Sequence, residues 1–329
     1  MKRFEAYMVD LEDGKTKLER KQLTVEDLGE GEVTIEVAYS SVNYKDGLAT
    51  LPKQIIRNYP LIPGIDLSGT VVESTDSRFK EGDAVIATSY EIGVSHHGGF
   101  SEVAKVPAKW VVPLPDGLSL KEAMILGTAG FTAALSVQKL EDQGITPDSG
   151  PVLVSGATGG VGSVAVDILA SRGYEVHAST GKESEHGYLK ELGATEVLKR
   201  DQLTPEDKKP LRKELYAAAV DPVGGQTLEY IISTLKYGGS VATSGLTGGN
   251  KVETTVFPFI LRGINWLGVD SVYCPMDVRE KIWKRLASDY KPPHLTEGIV
   301  NEISLDALPS VLSSILKGEV RGRTIVKLK

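Results

Sequence analysis

Residues 151–173 read PVLVSGATGGVGSVAVDILASRG. A short apolar run ends at Gly156, a loop follows through Thr158, Gly159, Gly160, Val161 and Gly162, and a helix of about three turns continues from there. The tight turn calls for a residue without a Cβ at Gly156. Close approach of the backbone to a pyrophosphate calls for a second, and close packing of helix against strand calls for the last. The helix N-terminus then offers free N–H groups and a partial positive charge to the phosphates. No Gly-Lys-Ser/Thr follows, so the segment is not a P-loop, and its G-A-x-G-G-V-G spacing also departs from the plain G-x-G-x-x-G form. The segment predicts dinucleotide binding on a β-α unit.

Downstream, YEVHAST, ESEHGYLKELG, TEVLK, AAAVDPV, QTLEYIISTLK and GSVATSG continue the alternation of strand and helix, the pattern of a parallel, doubly wound sheet. The end of the second strand selects the cofactor. An NAD site places an acid about 20 residues past the first glycine, to accept from the ribose 2′-hydroxyl. Here the strand ends Ala178-Ser179-Thr180-Gly181-Lys182, with no acid at its tip. Hydroxyls and a lysine suit a phosphate, so Ser179, Thr180, Gly181 and Lys182 point to NADPH rather than NADH. Arg200, after the third strand, is a second candidate counter-charge. The plainer alternative makes Lys182 a solvated helix-start residue and Arg200 a surface residue, and it leaves the missing acid unexplained.

Upstream, the first ~120 residues read as short alternating strands, VTIEVAYSSV, SGTVVES, DAVIATS and SEVAKVP, between Gly/Pro-rich turns. That pattern predicts a partly open β-barrel. A long uncharged helix follows, with Ser119 and Glu122 spaced as a capping box. The tail from Asn301 reads strand, helix, strand, and the opening strand RFEAYMV lacks an obvious partner. The tail is therefore expected to fold back onto that strand, which makes the nucleotide unit (122–294) an insertion in a β-rich unit (1–121 plus 295–329).

Composition bounds the function. Of 329 residues 41% are hydrophobic and 25% charged, as in ordinary globular chains, and the 35 glycines and 16 prolines recur as turn punctuation. The formal net charge of −7, with dispersed bases, argues against nucleic-acid binding. The N-terminus has no apolar core of a secretory signal and no transmembrane segment is expected, which suits a cytoplasmic protein without membrane partners. The single cysteine, Cys274, excludes an internal disulfide and thiolate-rich zinc sites, and the five histidines form no metal-binding pair, so no metal is expected. Cys274 reads as a buried, inert thiol, and His96-His97 as part of a surface loop rather than as chemistry.

With SSVNYKDGLA (40–49), IIRNYPLIPGID (55–66), HHGGFSEVAKV (96–106), MILGTAGFTAAL (124–135), SGATGGVG, DPVGG, VFPFILRGINWLGVDSV (256–272) and GRTIVK (322–327) in view, the whole chain resembles the zinc-free medium-chain dehydrogenase/reductases of the quinone oxidoreductase type. More narrowly it resembles the YhdH/YhfP subgroup, which includes NADPH-dependent acryloyl-CoA reductases. The resemblance implies a Rossmann sheet inserted into a GroES-like barrel. Zinc-dependent relatives carry G-H-E where this chain has Gly64-Ile65-Asp66, and a cysteine near Tyr39-Ser40 that is lacking here. Without a Lewis acid for an alkoxide, alcohol oxidation loses its main catalytic group, whereas reduction of an activated C=C bond has no such need.

The resemblance also carries residue roles. The Asn43-Tyr44-Lys45-Asp46 turn lies beside the nicotinamide in the family, with Tyr44 hydrogen bonding its ribose or donating toward substrate; otherwise Tyr44 is a barrel-wall aromatic. Asn43 is a candidate beside it, and Asp46 either joins the chemistry or caps the next helix. Arg323 corresponds to a residue that meets a thioester or phosphate, and Thr128 to a hydroxyl that contacts the nicotinamide; the alternative for Thr128 is a bond to its own helix backbone. Ser244, Gly245 and Leu246, and Val269, Asp270 and Ser271, occupy the loops that flank the nicotinamide. The implied substrate is an enoyl-CoA such as acryloyl-CoA. A quinone reductase and a cofactor sensor without turnover are the rival readings. The implied assembly is a homodimer joined along the strand around Trp266 to Val272.

Overall fold

The computed structural model describes residues 3–207 and 209–329. The chain forms two units, one of Met1–Thr128, Val272–Ser288 and Val300–Lys329, the other of Ala129–Ser271 and Asp289–Ile299.

The second unit is built on a six-stranded parallel sheet. Its strands, in spatial order, are Glu196–Lys199, Val176–Thr180, Val152–Val154, Tyr216–Asp221, Leu235–Thr243 and Asn265–Gly268. Numbered within the sheet this is the 3-2-1-4-5-6 order of doubly wound nucleotide folds, whose strand order reverses between the first and fourth strands. Those central strands are apolar up to Asp221 at the end of the fourth, as burial on both faces demands: Val152, Leu153, Val154, Ala218, Ala219 and Val220 have no exposed surface. Each buried Val or Leu contributes about 1.5–3 kcal/mol relative to an exposed one. The helix Gly160–Ser171 follows the first strand and turns Val164, Ala165, Val166 and Ile168 inward.

The first unit carries a seven-stranded sheet in the order Val300–Ser304, Arg323–Lys327, Val33–Val42, Asp66–Ser74, Ala84–Thr88 and Val111–Pro113, with Val103–Val106 also paired to Val33–Val42. Its core holds Val33, Ile35, Val37, Leu67, Val71, Phe100 and Val106, and the tail helix Leu308–Leu316 adds Leu308 and Leu312.

Two sequence expectations need correction. The opening strand Phe4–Glu12 pairs with Lys15–Leu23 in a hairpin, while the tail strand Arg323–Lys327 pairs with Val33–Val42. The tail thus completes the first unit through a different partner, because the polar, alternating KTKLERKQL at 15–23 already supplies the opening strand's hydrogen bonds. The boundary at 294 also moves. The helix Met276–Leu286 belongs to the first unit, where its buried Arg279 donates to the Thr88 carbonyl (3.3 Å), Thr88 Oγ1 (3.0 Å) and Tyr90 Oη (3.2 Å).

The helical run Leu120–Asp142 is long and apolar enough to cross a membrane by length and composition, but 78% of its most apolar window is buried. Glu122 and Ser119 close the expected capping box at its start. The run is broken at Gly127, where φ is 52° and ψ −157°, and the unit boundary falls one residue later.

Candidate active site

In the second unit the glycine-rich loop leaves the first strand at the strand-order reversal. Gly156 takes φ +54°, a conformation that side chains disfavour. A Cβ on Gly162 would lie 2.4 Å from the Gly156 carbonyl oxygen and 2.7 Å from Ala157 Cα. The helix therefore begins in direct contact with the loop, which is the packing that the sequence motif requires. Gly159 caps the helix with extended φ/ψ, and the N–H groups of Gly160, Val161 and Gly162 fall in the first turn, where no intrahelical acceptor exists. Those donors form a cradle of the right kind for a pyrophosphate.

The loop is tied to the tip of the second strand. Ala157 N donates to the Ser179 carbonyl (2.9 Å), the Thr158 and Thr180 hydroxyls lie 3.2 Å apart, and Lys182 N donates to Thr180 Oγ1 (3.1 Å). Ser179 and Thr180 are buried. Arg200 starts the short helix after the third strand, and a Cβ on Gly181 would sit 2.8 Å from its Cζ. Its guanidinium thus packs against Gly181, and the fold gathers Arg200, Gly181 and Lys182 at one strand tip, as a 2′-phosphate site needs.

Across the strand-order reversal stands an acid that sequence reasoning passed over. Asp221 is fully buried and accepts from Ser155 Oγ, Val223 N (3.1 Å) and Gly224 N (3.0 Å). Burial raises its carboxyl above the ordinary value, while these bonds pull it back. Its role is to fix the Asp-Pro-Val-Gly-Gly turn, a motif that was visible in the sequence without an assigned duty. Ser244 and Val269 follow the carboxyl ends of adjacent strands, their N–H groups donating to the Asp221 and Thr243 carbonyls. Ser244 Oγ is buried without a hydrogen-bond partner, so it is left for a ligand. A Cβ on Gly245 would meet the Pro222 carbonyl at 2.2 Å. Leu246 and Asp270 are exposed and Ser271 is half-buried. The loop glycines, the strand-tip cations and the unpartnered hydroxyl together fit a dinucleotide.

In the first unit, Asn43 and Asp46 form a capping box around the short helix Tyr44–Leu48, with Asn43 N donating to Asp46 Oδ2 (2.7 Å). Ile65 N donates to Asp46 Oδ1 (2.9 Å). Burial, and then Asp66, push the Asp46 carboxyl up to about 7. Asp66 is the hub of this network. It accepts from Ser41 Oγ (2.7 Å), Asn43 Nδ2 (2.8 Å), Thr128 N (2.8 Å) and Thr128 Oγ1, whose hydroxyl also meets Ser89 Oγ (2.9 Å). The helix breaks at Gly127, and both Thr128 N and Thr128 Oγ1 donate to Asp66.

Arg323 is the largest departure from expectation. It is 2% exposed, and it donates to the Ile125 carbonyl (2.9 Å), the Val42 carbonyl (3.1 Å) and Asn43 Oδ1 (3.2 Å). The enclosed guanidinium lies within the field of Asp66 and Asp46, and its Nη2 is buried without a hydrogen-bond partner. Of the four catalytic candidates only Tyr44 is open, at 43% exposure.

His96 and His97, expected in a surface loop, are half-buried. The His96 ring meets the Lys105 carbonyl at 2.7 Å and Trp110 edge-on, His97 Nδ1 accepts from Ile62 N (3.1 Å), and burial lowers both rings' basicity. Cys274 is buried. Among the described residues no three His, Cys, Asp or Glu side chains are placed to hold a metal ion.

Two family descriptions match the chain: alcohol dehydrogenase GroES-like domain over residues 29–116, and zinc-binding dehydrogenase over residues 160–288. The putative quinone oxidoreductase YhfP of Bacillus subtilis is 55% identical over 99% of this chain and 99% of its own. A crystal structure of B. subtilis yhfP with NAD bound superposes with a TM-score of 0.97, covering 99% of this chain and 100% of that one. The acrylyl-CoA reductase AcuI of Ruegeria pomeroyi is 50% identical over 98% of each chain. The yhdH oxidoreductase of Salmonella enterica in complex with NADP is 47% identical with a TM-score of 0.96, covering 99% of this chain and 100% of that one.

Proposed function

This chain belongs to the medium-chain dehydrogenase/reductase family, in the zinc-free quinone oxidoreductase-like branch that holds YhfP and AcuI, and from that premise we propose that it uses NADPH to reduce the C=C bond of an α,β-unsaturated thioester, acryloyl-CoA being the substrate we assign. The observation that carries the cofactor half is the second strand's tip, which has no acid and gathers Lys182 with Arg200 packed on Gly181. The substrate half is supported by 50% identity to an acrylyl-CoA reductase across nearly the full length of both chains.

When bound, the nicotinamide supplies a hydride; the chain's own residues bind, orient and polarise. The first-turn N–H groups of Gly160, Val161 and Gly162, with Gly159, hold the pyrophosphate. Thr158, Ser179, Thr180 and Gly181 shape the ribose end, and Lys182 with Arg200 neutralises the 2′-phosphate. Ser244, Gly245, Leu246, Val269, Asp270, Ser271 and Thr128 flank the nicotinamide. Tyr44 offers its hydroxyl to the nicotinamide ribose or the substrate, on a turn that the Asn43–Asp46 capping box sets. Arg323 keeps the adjacent carboxylates charge-balanced. The assembly that goes with this reading is a cytoplasmic homodimer.

Steady-state NADPH oxidation with acryloyl-CoA beside a benzoquinone tests the reading. The thioester is expected to be the better substrate by kcat/KM. A higher kcat/KM for the quinone would favour quinone reduction, the activity for which the 55% identical relative is named. Cofactor binding without turnover of either would leave a nucleotide sensor. Lys182→Glu is expected to weaken NADPH by tenfold or more while leaving NADH nearly unchanged, read by fluorescence titration. Equal losses for the two cofactors would sink the 2′-phosphate assignment.

A further inference from the structure

Lys45 lies between Tyr44 and Asp46, half-buried in the first turn of a five-residue helix. Its ammonium makes no hydrogen bond or ion pair with any described residue. Three carboxylates nevertheless act on it electrostatically: Asp46, Glu91 and Asp66. Each of them is engaged elsewhere. Asp46 accepts from Asn43 and Ile65, and Asp66 from Ser41, Asn43 and Thr128. Glu91 accepts from Ser95 and Tyr273, and its remaining cationic contact is Arg57 at 3.4 Å. The fold has thus satisfied these acids with other donors and left the lysine's three N–H bonds open to solvent or to a bound molecule. A partly desolvated cation without a partner costs stability, and burial does lower the Lys45 ammonium below the ordinary lysine value, against the pull of Asp46, Glu91 and Asp66 and with the push of Arg57. The helix Leu308–Leu316, which packs Ile315 and Leu316 on Gly47, brings no charged residue.

We propose that Lys45 is a catalytic residue of this chain, its ammonium hydrogen-bonding the carbonyl oxygen of the acceptor and holding the negative charge that develops there. The inference rests on the NADPH-dependent reductase reading. In the step it serves, a hydride adds to the β-carbon of the enoyl thioester. The C=C π pair shifts to join the α-carbon and the carbonyl carbon, and the carbonyl π pair moves onto the oxygen that Lys45 holds. The α-carbon then takes a proton from water, the C=O bond reforms, and Lys45 keeps its own proton throughout. Donors aimed at a developing oxyanion in a partly desolvated site act more strongly in the transition state than in the ground state.

The test compares wild type, Lys45→Met and Lys45→Arg with acryloyl-CoA and benzoquinone between about pH 6 and 10. The methionine variant is expected to lose about 100-fold in kcat with acryloyl-CoA while its NADPH affinity, read by fluorescence, stays within twofold of wild type. Wild type is expected to show an alkaline decline below the ordinary lysine range, and the arginine variant, which stays protonated throughout, to retain activity and lose that decline. Wild-type kcat in the methionine variant, or an alkaline decline unchanged in the arginine variant, overturns the role of Lys45 and leaves the reductase reading standing. If the methionine variant fails to fold, the arginine profile decides alone. A wild type that reduces neither acceptor overturns the reductase reading, and this inference with it.

Discussion

Asp46 accepts N–H groups from Asn43 and Ile65, yet burial and the neighbouring Asp66 raise its carboxyl from 3.8 to about 7. In the unfolded chain the group ionises near its ordinary value, so from about pH 4 to 7 the native state holds a proton that the unfolded state has lost. Its contribution to stability is therefore greatest below about pH 4, falls as pH rises through the folded value, and is flat above it. Replacing Asp46 by Asn keeps the shape and removes the titration, with a pH-independent loss because one of the two oxygens that accept backbone N–H groups becomes a donor. The variant is expected to gain in thermal midpoint relative to wild type between about pH 5 and 8, measured by calorimetry; parallel pH profiles would discard the assignment. At this scale the sequence was informative where bonds are local. The three-residue spacing of Asn43 and Asp46 marked a cap, and the structure has one. Asp66 escaped notice because its donors, Ser41, Asn43 and Thr128, stand 25, 23 and 62 residues away. The burial of Arg323 was not legible for the same reason, since its acceptors at Val42, Asn43 and Ile125 come together only in the folded chain.

The strand–loop–helix element from Val152 to Ser171 shows why some motifs can be read directly: the turn, the cradle and the packing contact all depend on residues within a dozen positions of each other. Its sharpest test is Gly162→Ala. The added methyl would lie 2.4 Å from the Gly156 carbonyl oxygen and 2.7 Å from Ala157 Cα, both backbone atoms that cannot swing aside. The loop must shift, so NADPH affinity is expected to fall by tenfold or more, with a lower thermal midpoint. Gly187→Ala is the control, because a Cβ there meets nothing within 4 Å and alanine favours the helix by up to ~1 kcal/mol. Unchanged affinity in Gly162→Ala would show that the loop contact does not shape the phosphate site. The hairpin of Phe4–Glu12 with Lys15–Leu23 was less legible. Its second strand is half exposed and buries too few apolar side chains to announce itself, although Asp13-Gly14 between the strands is a turn signal.

Across the whole chain, the alternation of strand and helix after Pro151 was enough to anticipate the doubly wound sheet, and a tail that rejoins the first unit was anticipated with the wrong partner. The assignment of Met276–Leu286 could not be read from pattern. An amphipathic helix next in sequence to a parallel sheet looks like part of it, and the buried Arg279, bonded to Thr88 and Tyr90, shows its tie to the first unit. The sheet's sixth strand raises the question of assembly. Asn265–Gly268 pairs on one side only, with Leu235–Thr243, which leaves a backbone edge open. Trp266 is exposed on that strand, and the preceding helix Phe257–Arg262 exposes Phe257, Ile260 and Leu261. Uncovered apolar edges of this kind invite pairing with another chain, and a two-fold axis would satisfy the edge with an identical strand in antiparallel pairing while covering both helices. The open strand ends at Gly268, so only the first part of the run from Trp266 to Val272 offers a strand edge. Sedimentation at micromolar concentration is expected to give two subunits for wild type and one for a Trp266→Lys, Ile260→Glu double variant that keeps its thermal transition and its NADPH binding. A single-subunit wild type would mean that the edge is covered by something other than a second copy.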